Sequence, residues 1–152
     1  MVDKVYNSVF ENSIRIVLLL DVFGLPENLD MIYCVDFMVS YGRFFDLSRI
    51  DLNGENPYMF SEFAARRKFV KEALKELVLY GMVKPINADD GIVYQITEIG
   101  RKYSRSLTSD YAKDYRSVAQ RAIQSVSGQS ANAVISRINK MSAMHLRREA
   151  TR

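Results

Sequence analysis

Arg66, Arg67, Lys68, Lys71 and Lys75 crowd five cations into residues 66–75, at spacings a helix would bring close together. Such groups neutralise phosphates, so the nucleic-acid backbone is the chemistry they suit, with Lys84 as a further contact. Glu62, Glu72 and Glu76 share the segment, and Asp89-Asp90 put negative charge near Lys84. That balance weighs against sequence-specific reading of DNA by this segment alone. Other reactive residue types are sparse. Cys34 is the one cysteine and His145 the one histidine, so neither an internal disulfide nor a Cys/His zinc site can form within a single chain. His145 has Glu149 one turn later, the spacing of a surface pair. Asp89-Asp90 fit a turn. The glycines, at 24, 42, 54, 81, 91, 100 and 128, are spread out as element terminators, and none forms a phosphate-binding loop. No catalytic, cofactor or metal residue emerges, and the chain is expected not to be an enzyme.

The basic cluster needs a helix to carry it. From Ser61 to Tyr80, Phe63, Val70, Leu74, Leu77 and Val78 recur at helical spacing, with the charges largely on the other side. Gly81 stops that helix. Met82–Ile86 and Ile92–Ile96 are short β-prone runs joined by the turn formers 87–91. Thr97-Glu98 open another helix, reaching about Leu107. Upstream, Ser8 and Glu11 have capping-box spacing and begin a helix whose run Ile16–Leu20 is apolar nearly all round. Arg15 is expected to point outward from it. Gly24 ends this helix, and a second is expected from Pro26 to Tyr41, carrying Asp30 and Asp36 among apolar residues. Arg15, Arg43 and Arg49 are their candidate partners. Helix, glycine, hairpin, helix is the order of the second half of a winged helix. The expected fold is therefore mainly α with a small β-hairpin, a winged helix-turn-helix over residues 1–107 followed by a basic amphipathic helical extension over 108–152.

Composition agrees with a soluble globular chain of 152 residues, 48% hydrophobic and 26% charged. No run is long enough to span a bilayer, and Met1–Lys4 lack a signal-peptide pattern, so the cytoplasm is the expected compartment. The net charge of +3 hides an imbalance: residues 1–100 carry −5 and residues 101–152 carry +8. The basic third suits a polyanion or an acidic protein surface, unless it is simply a solvated face.

Two regions hold candidate partner contacts. Gly42–Phe60 is a long, turn-rich connection flanked by Phe44, Phe45, Tyr58, Met59 and Phe60. Most simply these rings pin the loop to the body; alternatively they form an exposed patch that another protein covers. Beyond Ser109, Tyr111, Tyr115 and their helical neighbours, then Val134, Ile135, Ile138, Met141 and His145, form two apolar stripes separated by Gly128. The body is expected to leave these stripes short of packing, for a helical hairpin, a dimer seam or a clamp.

Residues 7–21, Asn-Ser-Val-Phe-Glu-Asn-Ser-Ile-Arg-Ile-Val-Leu-Leu-Leu-Asp, together with Leu29-Asp30, Val35–Val39 and a helix-wing region ending in Tyr94-Gln95-Ile96, resemble the small middle component of bacterial ABC-three-component systems. That group includes the accessory subunit of Lamassu-type antiphage defence. The resemblance covers roughly residues 7–107 and weakens beyond about 108. It implies a subunit without catalytic residues that docks on an SMC-like ABC ATPase and helps control an effector, often a nuclease. The competing reading from the residues is a dimeric winged-helix transcription regulator with the C-terminal helices as its two-fold seam.

Overall fold

The computed structural model describes residues 8–150 apart from 53 and 55. Six helices and three short strands follow in the order α1 (Val9–Phe23), β1 (Glu27–Asn28), α2 (Leu29–Ser40), α3 (Met59–Leu79), β2 (Val83–Ala88), β3 (Gly91–Ile96), α4 (Glu98–Ser106), α5 (Asp110–Ser125) and α6 (Ala131–Ala150). The chain is thus mainly helical with a small three-stranded antiparallel sheet of order β1-β3-β2.

The Ser8 hydroxyl accepts from the Glu11 N–H at 3.1 Å and starts α1; Gly24, at φ 68°, ends it. Ile16 to Leu20 are all essentially buried, as a helix surrounded by others requires. The second helix does not begin at Pro26. Glu27 and Asn28 pair with Tyr94 and Val93 of β3, and Asn28 caps α2 by accepting from the Met31 N–H at 2.8 Å. A Pro-led dipeptide is equally at home in an edge strand, where the missing N–H costs no ladder bond.

α3 begins two residues before the expected Ser61 and runs to Leu79. Gly81 (φ 74°) turns the chain so that the Met82 N–H reaches the Leu77 carbonyl at 2.9 Å. The hairpin is tighter than expected: β2 and β3 pair from Val83↔Ile96 to Ala88↔Gly91, leaving only Asp89-Asp90 as the turn. Thr97 then joins sheet to helix. Its hydroxyl donates to the Gly81 carbonyl at 2.6 Å and accepts from the Gly100 N–H at 3.1 Å. Gly100 sits where a Cβ would overlap the Met82 carbonyl oxygen, so α4 approaches the backbone just before β2 at close distance.

The C-terminal helices are not short of packing. Tyr115, Val118, Ala119 and Ala122 of α5, Val126 just after it, and Val134 and Ile138 of α6 lie in the same core as α1 and α2. Together they cover the apolar surface that residues 8–107 present on that side. The core therefore runs across the boundary expected at 107/108. The connection between α2 and α3 is also held to the body. Phe45 and Leu47 are buried, the Leu47 N–H reaches the Gly42 carbonyl at 2.7 Å, and Arg121 of α5 donates to the Leu47 carbonyl at 2.7 Å.

Candidate functional site: a buried charge cluster and the surfaces around it

Asp36 stands on α2, in a helix buried on nearly every side, and its carboxylate is fully enclosed. Burial alone would drive it neutral. Two guanidiniums prevent this. Arg15 of α1 donates from Nε at 3.1 Å and from Nη2 at 3.3 Å, and Arg66 of α3 donates from Nη1 at 2.7 Å. Tyr115 of α5 adds its hydroxyl at 2.7 Å. Burial opposes ionisation, but the charges of Arg15 and Arg66 outweigh it, and the carboxyl is held down at about 2. Tyr115 is pushed well above the ordinary phenol range, first by burial and then by the Asp36 charge. One carboxylate thus ties four helices together.

The cluster extends outward. Arg66 also donates to the Ser40 hydroxyl at 3.1 Å and lies 3.8 Å from Glu62. Arg15 bonds the Asn12 side chain. Glu62 accepts from the Tyr41 hydroxyl at 2.6 Å and from the Asn56 amide, which fastens the end of the α2–α3 connection to α3. Asp36 accepts four hydrogen bonds, which occupies the acceptor sites of both oxygens, so it has no capacity left to take a proton from a substrate or to bind a metal ion.

This geometry overturns three sequence expectations. Arg15 does not point outward; it is 2% exposed and is the main partner of Asp36. Arg66 is 3% exposed and committed to the same carboxylate, so it is not at hand for a phosphate. Asp30 pairs with Arg67 at 2.8 Å across an exposed surface, rather than with Arg15, Arg43 or Arg49. What remains outward on α3 is Lys68, Lys71 and Lys75, at i, i+3 and i+7 and thus on one stripe. None of these three lysines, nor the exposed Lys84 of β2, has an ion-pair partner among the described residues.

The expected partner contacts divide likewise. Phe45, Tyr115 and Ile138 are core residues, and Ile135 and Tyr111 are half-buried. Phe44 and Phe60 pack edge-on with centroids 5.0 Å apart, and His145 of α6 lies over both at 5.8 and 5.5 Å. The chain's own last helix therefore covers the aromatic patch flanking the connection. Only Tyr58, 75% exposed, stands free of it. Cys34 is enclosed, and burial pushes its thiol up to about 12, so it stays protonated and unreactive at neutral pH.

Sequence reasoning missed the cluster as a unit. Its signal was present: Arg15 and Asp36 each stand within a stretch that is apolar nearly all round, where neither charge survives unpaired.

A family model described as ABC-three component (ABC-3C) system Middle Component 2 matches residues 5–148. The chain belongs to this family. The match takes in α1 through nearly all of α6, so the basic C-terminal helices are part of the Middle Component 2 unit, whereas the resemblance in the sequence was traced only to about residue 107. A middle component of an ABC-three-component system implies partner components in a complex. No curated protein and no solved structure matches the chain. Among the described residues, no helix of this Middle Component 2 protein is long and apolar enough to cross a membrane.

Proposed function

We propose that this Middle Component 2 protein is a non-enzymatic accessory subunit of a Lamassu-type antiphage or antiplasmid defence complex, acting in the cytoplasm. It docks on an SMC-like ABC ATPase and helps keep a nuclease effector inactive until the ATPase engages its trigger. The observation that carries this reading is the family match over residues 5–148, which spans both the helix-strand body and the basic helices. The element order α1-β1-α2-α3-β2-β3, with β1 and β2 flanking β3, supports a winged-helix description of the body. The Asp36 cluster supports a scaffolding role, because it spends the most strongly placed charges on holding helices together.

The test is co-expression of the tagged chain with its native gene neighbours, followed by mass spectrometry and light scattering. Recovery of a large ATPase in fixed ratio is expected. A chain recovered alone, as a homodimer that shifts its own promoter DNA, overturns the proposal in favour of a transcription regulator.

The unpaired stripe Lys68, Lys71, Lys75 favours a second, subordinate reading, contact with the DNA backbone within the complex. Changing all three to Ala is expected to leave assembly intact and to lower DNA affinity and its salt dependence together, as read by fluorescence anisotropy of the purified complex. The two-fold seam that the regulator reading needs is weakened, since Tyr115, Val134 and Ile138 are already used in the core.

A further inference from the structure

α1 begins, α3 stops and α4 packs at one end of the molecule, and a groove of about 320 Å³ opens there. Phe10, Ser13, Leu77, Tyr80 and Tyr103 form much of its wall, and among the described residues Glu76 is the one charged side chain lining it. Two large apolar groups of the wall stand out to solvent, Phe10 at 66% and Tyr80 at 69% exposed, and Leu79 and Ile99, next to the lining residues or close to them, are 80% and 60% exposed. Ile99 belongs to the same surface, its Cδ1 lying 4.0 Å from where a Cβ at position 81 would be. A cluster of exposed apolar groups beside a concavity marks an interaction surface rather than ordinary solvent-facing scatter.

Two polar groups in the groove define what fits it. Ser13 Oγ is buried and has no hydrogen-bond partner, the one such side-chain atom among the described residues. A buried hydroxyl without a partner is unfavourable; Ser13 lines the groove, so a turn about its χ1 presents the hydroxyl to an occupant that supplies a partner and removes the penalty. The Glu76 carboxylate makes no ion pair or side-chain hydrogen bond among the described residues. Ionised, it accepts only. The complement is an apolar body with a donor at its tip and a positive charge beside it.

We propose that this groove receives a tryptophan or tyrosine side chain from a short segment of a partner protein, with a lysine or arginine next to it facing Glu76. Indole and phenol combine an apolar ring with an N–H or O–H donor, and such rings are the usual anchors of protein interfaces. A phosphate backbone is disfavoured here by the carboxylate and the apolar walls. The inference rests on the accessory-subunit reading for the existence of that partner.

The experiment uses the co-expressed complex. The substitution Tyr80→p-benzoylphenylalanine places a photo-crosslinker on the exposed wall of the groove. Crosslinking is expected to reach a segment of another component that contains Trp or Tyr flanked by Lys or Arg. Glu76→Lys is expected to lower recovery of the partner roughly tenfold or more. Ser13→Met fills the floor and removes the unpaired hydroxyl; it is expected to keep or raise Tm while weakening assembly similarly. A crosslink to a second copy, to residues 1–7 of the same chain or to nucleic acid overturns the proposal, as does wild-type assembly by both variants. If the wild-type chain recovers no partner, the function proposed above fails instead. The groove is then judged with the amide-capped dipeptide Lys-Trp and the isolated chain. Amide shifts at Ser13, Glu76 and Tyr80 support it, and no shift at millimolar peptide overturns it.

Discussion

Removing the Asp36 carboxylate would strand two guanidiniums in the core. Asp36→Ala is expected to cost about 3–5 kcal/mol, the range for breaking a buried pair from one side, as read by the midpoint of urea unfolding. The same residue sets a limb of the pH profile. Its carboxyl titrates at about 2 in the folded chain against an ordinary value of 3.8, because Arg15 and Arg66 outweigh the burial that would raise it. Its stabilisation is complete above pH 4 and is lost as the pH falls through about 2, an effect of roughly 2 kcal/mol. Asp36→Asn should flatten that part of an acid titration of Tm; an unchanged limb would assign it to other carboxylates. Sequence reasoning reached this site only halfway. It saw that Asp36 needed a cation and named Arg15 among three, yet turned Arg15 to solvent, because periodicity assigns no face on a helix that is apolar all round.

At the scale of elements, the junction of hairpin and α4 is the least tolerant point. Gly100 is helical and needs no positive φ; what it needs is the absence of a Cβ beside the Met82 carbonyl. Gly100→Ala must push α4 away from the Met82 backbone, and is expected to cost about 1–3 kcal/mol by thermal unfolding, where an exposed helical Gly→Ala would stabilise. The helices themselves were legible because their ends are chemically marked. Ser8 and Thr97 each cap the helix they were expected to begin, and Ser109 caps α5 in the same way. β1 was not legible. Two residues carry no periodicity, and Glu27-Asn28 become a strand only because β3 lies alongside with a free edge.

For the whole molecule, the decisive feature is one core shared by residues on both sides of position 107. The full chain is therefore expected to unfold in a single cooperative transition by calorimetry. A fragment ending at 107 should lose that transition, since it would bare the α1 and α2 surfaces that α5 and α6 cover and leave Asp36 without Tyr115. Two separate transitions would restore the division into a body and an independent extension. Charge at this scale behaves as the sequence suggested only in part. Of the basic residues after 100, Arg116 is spent on the carbonyls of Ser104 and Leu107, and Arg121 on that of Leu47.

Helix count, caps, the hairpin and the family resemblance were written in local sequence, because each depends on residues near one another along the chain. Which charges are buried, which aromatic rings are covered and whether the C-terminal stripes lack a partner depend on contacts between distant segments. Arg15 with Asp36, Phe44 and Phe60 beneath His145, and Tyr115 with Asp36 are such contacts. Amphipathic periodicity states that a face must be buried, not against what. Packing in three dimensions made that choice, and it placed inside the molecule several residues whose types alone pointed outward to DNA or to a partner.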